Sequence, residues 1–301
     1  MIDWRTPRSA LQVNAYRSDI TSALRATLVA SRNADGGWPY YAGKSSRLEP
    51  TCAALVGMAA PISEVLAVLE SWPRRDGLFT DGAGEINVAF NGLAALTLAP
   101  AYDRPVAREL TAALVRTKGV VIPPSTINRQ NNALQGWGWT TDTFSWVEST
   151  ATCLLGLKRL ARAPRAADVT ARIAEAEALL VDRVCHDGGW NHGNANMLGK
   201  DLPAYVPTTA LALLALHDRP TDATVARSVA FLHGRRLAET GALALALARI
   251  ALGVYGADAG DVDAAMAGEW QRSTFLGNLH ATAMALCALT GVGSGFEAFR
   301  V

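Results

Sequence analysis

Two kinds of apolar segment alternate along the chain. Those beginning at Glu49, Val88, Glu148, Val206, Glu239 and His280 are almost uniformly Ala, Leu and Gly, as in Thr208-Thr209-Ala210-Leu211-Ala212-Leu213. A helix apolar on every side must be buried on most of them. Between these lie residues 63–71, 104–118, 166–183, 221–236 and 261–269, where Arg, Glu or Asp falls among apolar residues at helical spacing and leaves one wet face. Residues 18–32 predict a further helix with Leu24, Leu28 and Val29 on one side. No segment sustains an alternation of period two, so strands should be few. Half-wet helices ringed around dry ones are an all-α (α/α)6 toroid of about six helix pairs, expected as a single domain over 1–301.

The junctions repeat as well. Gln135-Gly136-Trp137-Gly138-Trp139 leads through a short polar loop to Glu148-Ser149-Thr150-Ala151. Asp35-Gly36-Gly37-Trp38 leads to Glu49-Pro50-Thr51, Asp76-Gly77-Leu78-Phe79 to Val88-Ala89-Phe90, and Asp187-Gly188-Gly189-Trp190 to Val206-Pro207-Thr208. Self-similarity at about 40–60 residues marks a repeat architecture. In such a ring the inner helices run one way, so their N-termini and preceding loops gather at one mouth. Two of those loops, 119–135 (with Asn128-Arg129-Gln130) and 191–206, are long. Loops of that length in a compact fold are usually lids or binding loops.

Half the residues are hydrophobic and 18% are charged, which suits a large core and argues against disorder. A net charge of +1 without a basic run argues against nucleic acid as a partner. Cys52, Cys153, Cys185 and Cys287 are scattered without a Cys-x-x-Cys pair, so reduced thiols and a cytoplasmic location are expected. The N-terminal Met1-Ile2-Asp3-Trp4-Arg5 lacks a leader's apolar stretch. The longest apolar run, 241–255, is broken by Arg249 and falls short of the ~20 residues a membrane span needs.

The Gly-Gly-Trp turns followed by Pro-Thr helices resemble the prenyltransferase/squalene oxidase repeat superfamily over roughly residues 20–290. The resemblance implies the toroid and an isoprenoid or other apolar substrate in its centre. It also implies a chemistry like that of terpenoid cyclases or protein prenyltransferases. The chain departs from both patterns. Class II cyclases carry Asp-x-Asp-Asp-Thr-Ala-Met, and the matching stretch here is Asn278-Leu279-His280-Ala281-Thr282-Ala283-Met284, which keeps the frame without the acids. Prenyltransferases hold zinc through Asp-x-Cys and a His. His280 matches the latter, whereas Val206-Pro207-Thr208 cannot ligate a metal. No cofactor or metal is therefore expected. Cys185-His186 with His192 does not make a four-ligand spacing either.

Glu148, Asp142, Glu49 and His280 are the candidate catalytic residues. A carboxylate at a helix start is well explained by capping, worth about 0.3–1 kcal/mol. Several acids on one rim, with Glu85, Asp201 and Glu239 added, would raise one another's pKa and make one a usable proton donor. Imidazole titrates in the useful range. Trp139, Phe144, Trp146 and Tyr205 lie in mouth loops and could line an apolar pocket, where aromatic faces also stabilise cations. Arg47 and Lys200 lie where a diphosphate would rest in the superfamily. Trp38, Trp137 and Trp190 read as wedges between helices. The alternative to an enzyme is a non-catalytic toroid that binds an apolar ligand or a protein partner.

Overall fold

A computed structural model describes residues 10–82, 84–124, 126–127, 129–161, 166–294 and 296–301. The reading of the N-terminal residues 1–5, and Asn128 in the long loop, lie outside these. The inner helices are α2 (Leu48–Gly57), α4 (Val88–Leu98), α6 (Val147–Leu160), α8 (Val206–Ala215), α10 (Ala242–Val254) and α12 (Leu279–Ser294). The outer ones are α1 (Ala10–Ala30), α3 (Ile62–Leu69), α5 (Pro105–Arg116), α7 (Ala167–Asp182), α9 (Ala223–Arg235) and α11 (Gly260–Ser273). Each inner helix packs on the next, α2 on α4 through to α10 on α12, and α12 returns to α2, closing the ring. The expected (α/α)6 toroid is what forms. Among the described residues, strand is confined to two tiny hairpins, β1 (Arg74–Arg75) with β2 (Leu78–Phe79) and β3 (Asn196–Met197) with β4 (Lys200–Asp201). No described helix is long and apolar enough to cross a membrane.

The Gly-Trp grammar has a direct cause. The backbone N–H groups of Trp38, Trp137 and Trp190 donate to Thr51, Thr150 and Thr209 Oγ1 at 2.8, 3.0 and 2.9 Å, in the first turn of the following inner helix. Their indole N–H groups donate to the Leu28, Leu114 and Leu180 carbonyls of the preceding outer helix. All three rings are fully buried wedges. In the repeat that has Phe79 in place of Trp, Asn91 substitutes, its carboxamide bonding both the N–H and the C=O of Phe79.

A second device stitches the mouth. The first amide of an inner helix has no partner within its own helix, and here it reaches the loop that feeds the next inner helix. Val88 N donates to Trp139 O, Val147 N to His192 O and Leu279 N to Tyr40 O. Leu48 N donates instead to Asp81 Oδ1 and Val206 N to Glu239 Oε1. The fifth inner helix accordingly begins at Ala242, and Glu239, expected to open it, stays in the loop as the cap of its neighbour.

The inner wall is close because its contact residues are small. A methyl on Gly156 of α6 would lie 2.2 Å from Gly92 O of α4, and one on Gly57 of α2 would lie 2.7 Å from Ala283 O of α12. Backbone cannot yield as a flexible side chain can. Gly156→Ala is therefore expected to lower the unfolding free energy by about 2–3 kcal/mol, measured by urea denaturation. A change below about 0.5 kcal/mol would mean that the ring has slack.

Candidate active site

The inner helices are covered by neighbours on every side except the ring's axis. Their partly exposed positions fall in stripes: Glu49 and Val56 on α2, Phe90 and Leu93 on α4, Glu148, Thr152 and Arg159 on α6, Pro207 and Leu211 on α8. Spacings of three, four and seven define one helical face; Glu49, Phe90, Glu148 and Pro207 stand at its mouth end, whereas Val56 and Arg159, at the far end, border a pocket that also takes in Arg25 of α1 and Ile62 of α3. Acids and His280 stand at the mouth, and Leu93, Thr152 and Leu211 follow about one turn deeper.

Glu148 sits in the first turn of α6 with only 12% of its side chain exposed. His192 Nδ1 and Thr208 Oγ1, the latter at 3.2 Å, both bond its Oε1. Its Oε2 is buried without a hydrogen-bond partner. The loop before α8 brings His192 to this place, because its carbonyl caps Val147 in the residue before Glu148. Tyr205 and Trp146 flank the imidazole at 5.1 and 6.0 Å between ring centres, and Phe144 stacks on Trp146 at 5.2 Å.

Glu49 is the centre of a second group on the same rim. Tyr40 donates its hydroxyl to Glu49 Oε2 at 2.5 Å, and His280 Nδ1 lies 3.5 Å from the same oxygen. Burial, with Glu49 beside it, pushes the Tyr40 phenol well above its ordinary value, so it remains a proton-bearing donor.

The other sequence candidates are placed differently. Asp142 is exposed, and among the described contacts its carboxylate accepts a hydrogen bond from its neighbour Thr141, not from a group around Glu148. Asp81 and Glu239 bind backbone amides, while Glu85 and Asp201 are exposed. The acids therefore do not crowd into one cluster; each is occupied or solvated locally. Arg47 forms two hydrogen bonds with Asp81 at 2.9 and 2.7 Å, which hold its pKa above the usual value. Lys200 is exposed in the β3–β4 hairpin, and Trp139 is partly buried with its carbonyl on Val88. No three His, Cys, Asp or Glu side chains among the described residues gather as metal ligands. His192 and Thr208, which meet Glu148 across 44 and 60 residues, and Asp81, which meets the Leu48 amide across 33, were not legible as partners beforehand; Tyr40, only nine residues before Glu49, was missed because no repeated pattern marks it.

No family model matches the chain and no curated protein matches it. Solved structures do. A variant of the type II terpene cyclase MstE from Scytonema, in complex with geranylgeranyl dihydroxybenzoate, is 15% identical with a TM-score of 0.59, covering 95% of this chain and 100% of that one. A glycosidase variant is 13% identical with a TM-score of 0.61, over 95% and 99% of the two chains. Another glycosidase variant, in complex with glucose, is 12% identical with a TM-score of 0.59 over the same shares. The chain shares their toroid fold. At such identities the likeness speaks for fold alone.

Proposed function

We propose that the protein is a terpenoid cyclase-like enzyme that moves a proton on an apolar, isoprenoid-type substrate, with Glu148 as the acid. The observation that carries this reading is the asymmetry of Glu148. One oxygen is held by His192 and Thr208, and the other is buried without a hydrogen-bond partner. A carboxyl group oriented through one oxygen keeps the other for proton exchange. The acid form gives its proton to an electron-rich site of the substrate. His192 and Thr208 hold the carboxylate left behind, and the cationic product returns a proton to the rim. A bare alkene asks for a stronger acid than this pair, so an epoxide or another activated group is the better acceptor.

Charge selects against the diphosphate reading. Arg47 is committed to Asp81 and Lys200 is solvated, while the rim carries Glu49 and Glu148. Exposed apolar side chains, Val120, Val121, Ile127, Phe144, Leu198, Leu202 and Tyr205, instead stand on the mouth loops, which supports an apolar ligand.

The glycosidases, as alike in fold as the cyclase, favour a second reading in which the rim carboxylates act on a sugar. Incubation with C15–C30 isoprenoids and their epoxides, followed by mass spectrometry of extracts, separates the two. New cyclic products support the first reading. Release of reducing sugar from glycosides, without isoprenoid turnover, replaces it with the second. Lipid that co-purifies from the host without being converted makes the chain a carrier.

A further inference from the structure

Beside His192 lies a pocket of about 210 Å³, walled by the loops before α6 and α8 and by the end of α7. It is smaller than the roughly 300–1,000 Å³ of sites for drug-sized ligands, and a single ring suits it better than a chain.

Its hydrogen-bonding groups are incomplete. Arg183, only 5% exposed, lines the pocket and donates through one terminal nitrogen to Asn131 O at 3.3 Å. Its other terminal nitrogen, Nη1, is ion-paired with Asp182 Oδ2 at 3.5 Å but makes no hydrogen bond, and that carboxylate oxygen already accepts from Asn131 N. Burial pulls the Arg183 pKa below the usual guanidinium value, with Asp182 opposing. On the wall of the same pocket, Gln130 Nε2 donates to Asn132 Oδ1, which leaves Gln130 Oε1 buried without a donor. A buried polar atom left unpaired costs about 1–3 kcal/mol. Here a donor and an acceptor are left over together. The Phe144–Trp146 stack lines the same pocket, with planes inclined by 19° and Phe144 43% exposed.

We infer that this pocket binds a hydroxylated six-membered ring, one face stacked on Phe144, which Trp146 backs, and its hydroxyls satisfying Arg183 and Gln130. A hydroxyl both accepts and donates, which a carboxylate or an ammonium group does not, so it answers both groups. A flat aromatic wall takes the ring's less polar face. The inference rests on the proposed function in one respect only: His192 borders the pocket as well as Glu148, so the ring would be the polar head of the molecule on which Glu148 acts. A pyranose and a phenolic head share this chemistry.

The test is binding, read by saturation-transfer NMR and tryptophan fluorescence on the full chain, with methyl β-glucoside and 2,4-dihydroxybenzoate as the hydroxylated probes and benzoate as the control that keeps the ring and carboxylate of the latter without its hydroxyls. The expected result is saturable millimolar binding of at least one hydroxylated probe, in preference to benzoate. It should weaken about tenfold in Gln130→Met, the equivalent of one lost hydrogen bond, and similarly in Phe144→Ala. Phe144 is exposed, so its loss should leave the fold intact and keeps the test open if Arg183→Met does not fold. Binding of the glucoside alone identifies a sugar-type ligand, and binding of the phenol alone an aromatic head; either supports the site. Neither probe saturating, benzoate binding as well as both, or both variants binding as wild type would overturn it. Ring binding without any turnover would leave the subsite standing and remove only the acid chemistry of Glu148.

Discussion

Arg172→Met is expected to lower the unfolding free energy by about 4 kcal/mol and the Tm by roughly 8 °C. Arg172 reaches from α7 into the turn that feeds α6 and is only 2% exposed. Its guanidinium donates to Gln135 O at 2.7 Å, Gly136 O at 2.6 Å and Thr117 O at 3.2 Å, and lies 3.6 Å over the Trp137 ring. Burial lowers its pKa to about 10, still far enough above neutrality that the group is charged at pH 7. Methionine fills much of the volume but abandons these bonds, and Gln135 and Thr117 lose a charge-assisted partner. Gly136 O keeps the Gly119 amide. Arg172→Lys separates charge from shape. An ammonium carries the charge without the planar fork that reaches several carbonyls and covers an indole, so at least half of the loss should remain. Urea denaturation of both variants reads the result. A lysine variant as stable as wild type would show that charge alone holds the turn.

How much was legible beforehand follows from the range of each interaction. The ring was legible because its causes are local. Uniform Ala/Leu runs declare burial, mixed runs declare one wet face, and Trp137 with Thr150, 13 residues apart, is a short-range signature that recurs. Helix starts at Val88 and Val206 match the sequence pattern, whereas α10 begins at Ala242 because Glu239 is drawn to Val206 of the preceding inner helix. That displacement is a tertiary effect, and nothing near Glu239 announces it. The active-site candidates divide in the same way. Glu148 and Glu49 stand out as acids opening apolar helices. Their partners do not, since His192 returns across 44 residues through a long loop and His280 meets Glu49 only where the ring closes. His192 stood out only as a weak metal donor near Cys185, because its capping of Val147 through its own carbonyl has no side-chain signature. Asp142 belongs to the same loop that leads into Glu148, yet a residue five places before the start of α6 faces solvent as readily as the axis.

Glu148→Gln should reduce kcat by about 10²–10⁴-fold, the usual contribution of a positioned acid or base, while the fold and substrate binding stay close to wild type. Glutamine preserves the outline and can still accept from Thr208 Oγ1 through its carbonyl oxygen, but it neither ionises nor delivers a proton. The Glu148 main chain keeps its own role, its carbonyl accepting from Thr152 Oγ1 regardless of the side chain. Glu239→Gln is the informative comparison. Glu239 also stands on the rim, but its carboxylate binds the Val206 amide. Its neutral form should cost about 0.5–1 kcal/mol of stability as a weakened cap and leave kcat unchanged. His192→Gln tests whether the imidazole only orients Glu148 or also titrates with it. An orienting role lowers kcat without altering the shape of the pH–rate profile, whereas a titrating role removes one limb of it. Product formation by mass spectrometry across pH, with circular dichroism of each variant, reads all three. Equal losses in Glu148→Gln and Glu239→Gln would mean that the rim's negative charge matters and that Glu148 is no special acid. Full turnover in Glu148→Gln would remove it from the chemistry and turn attention to Glu49, whose Tyr40 and His280 partners form the other proton-bearing group at the mouth.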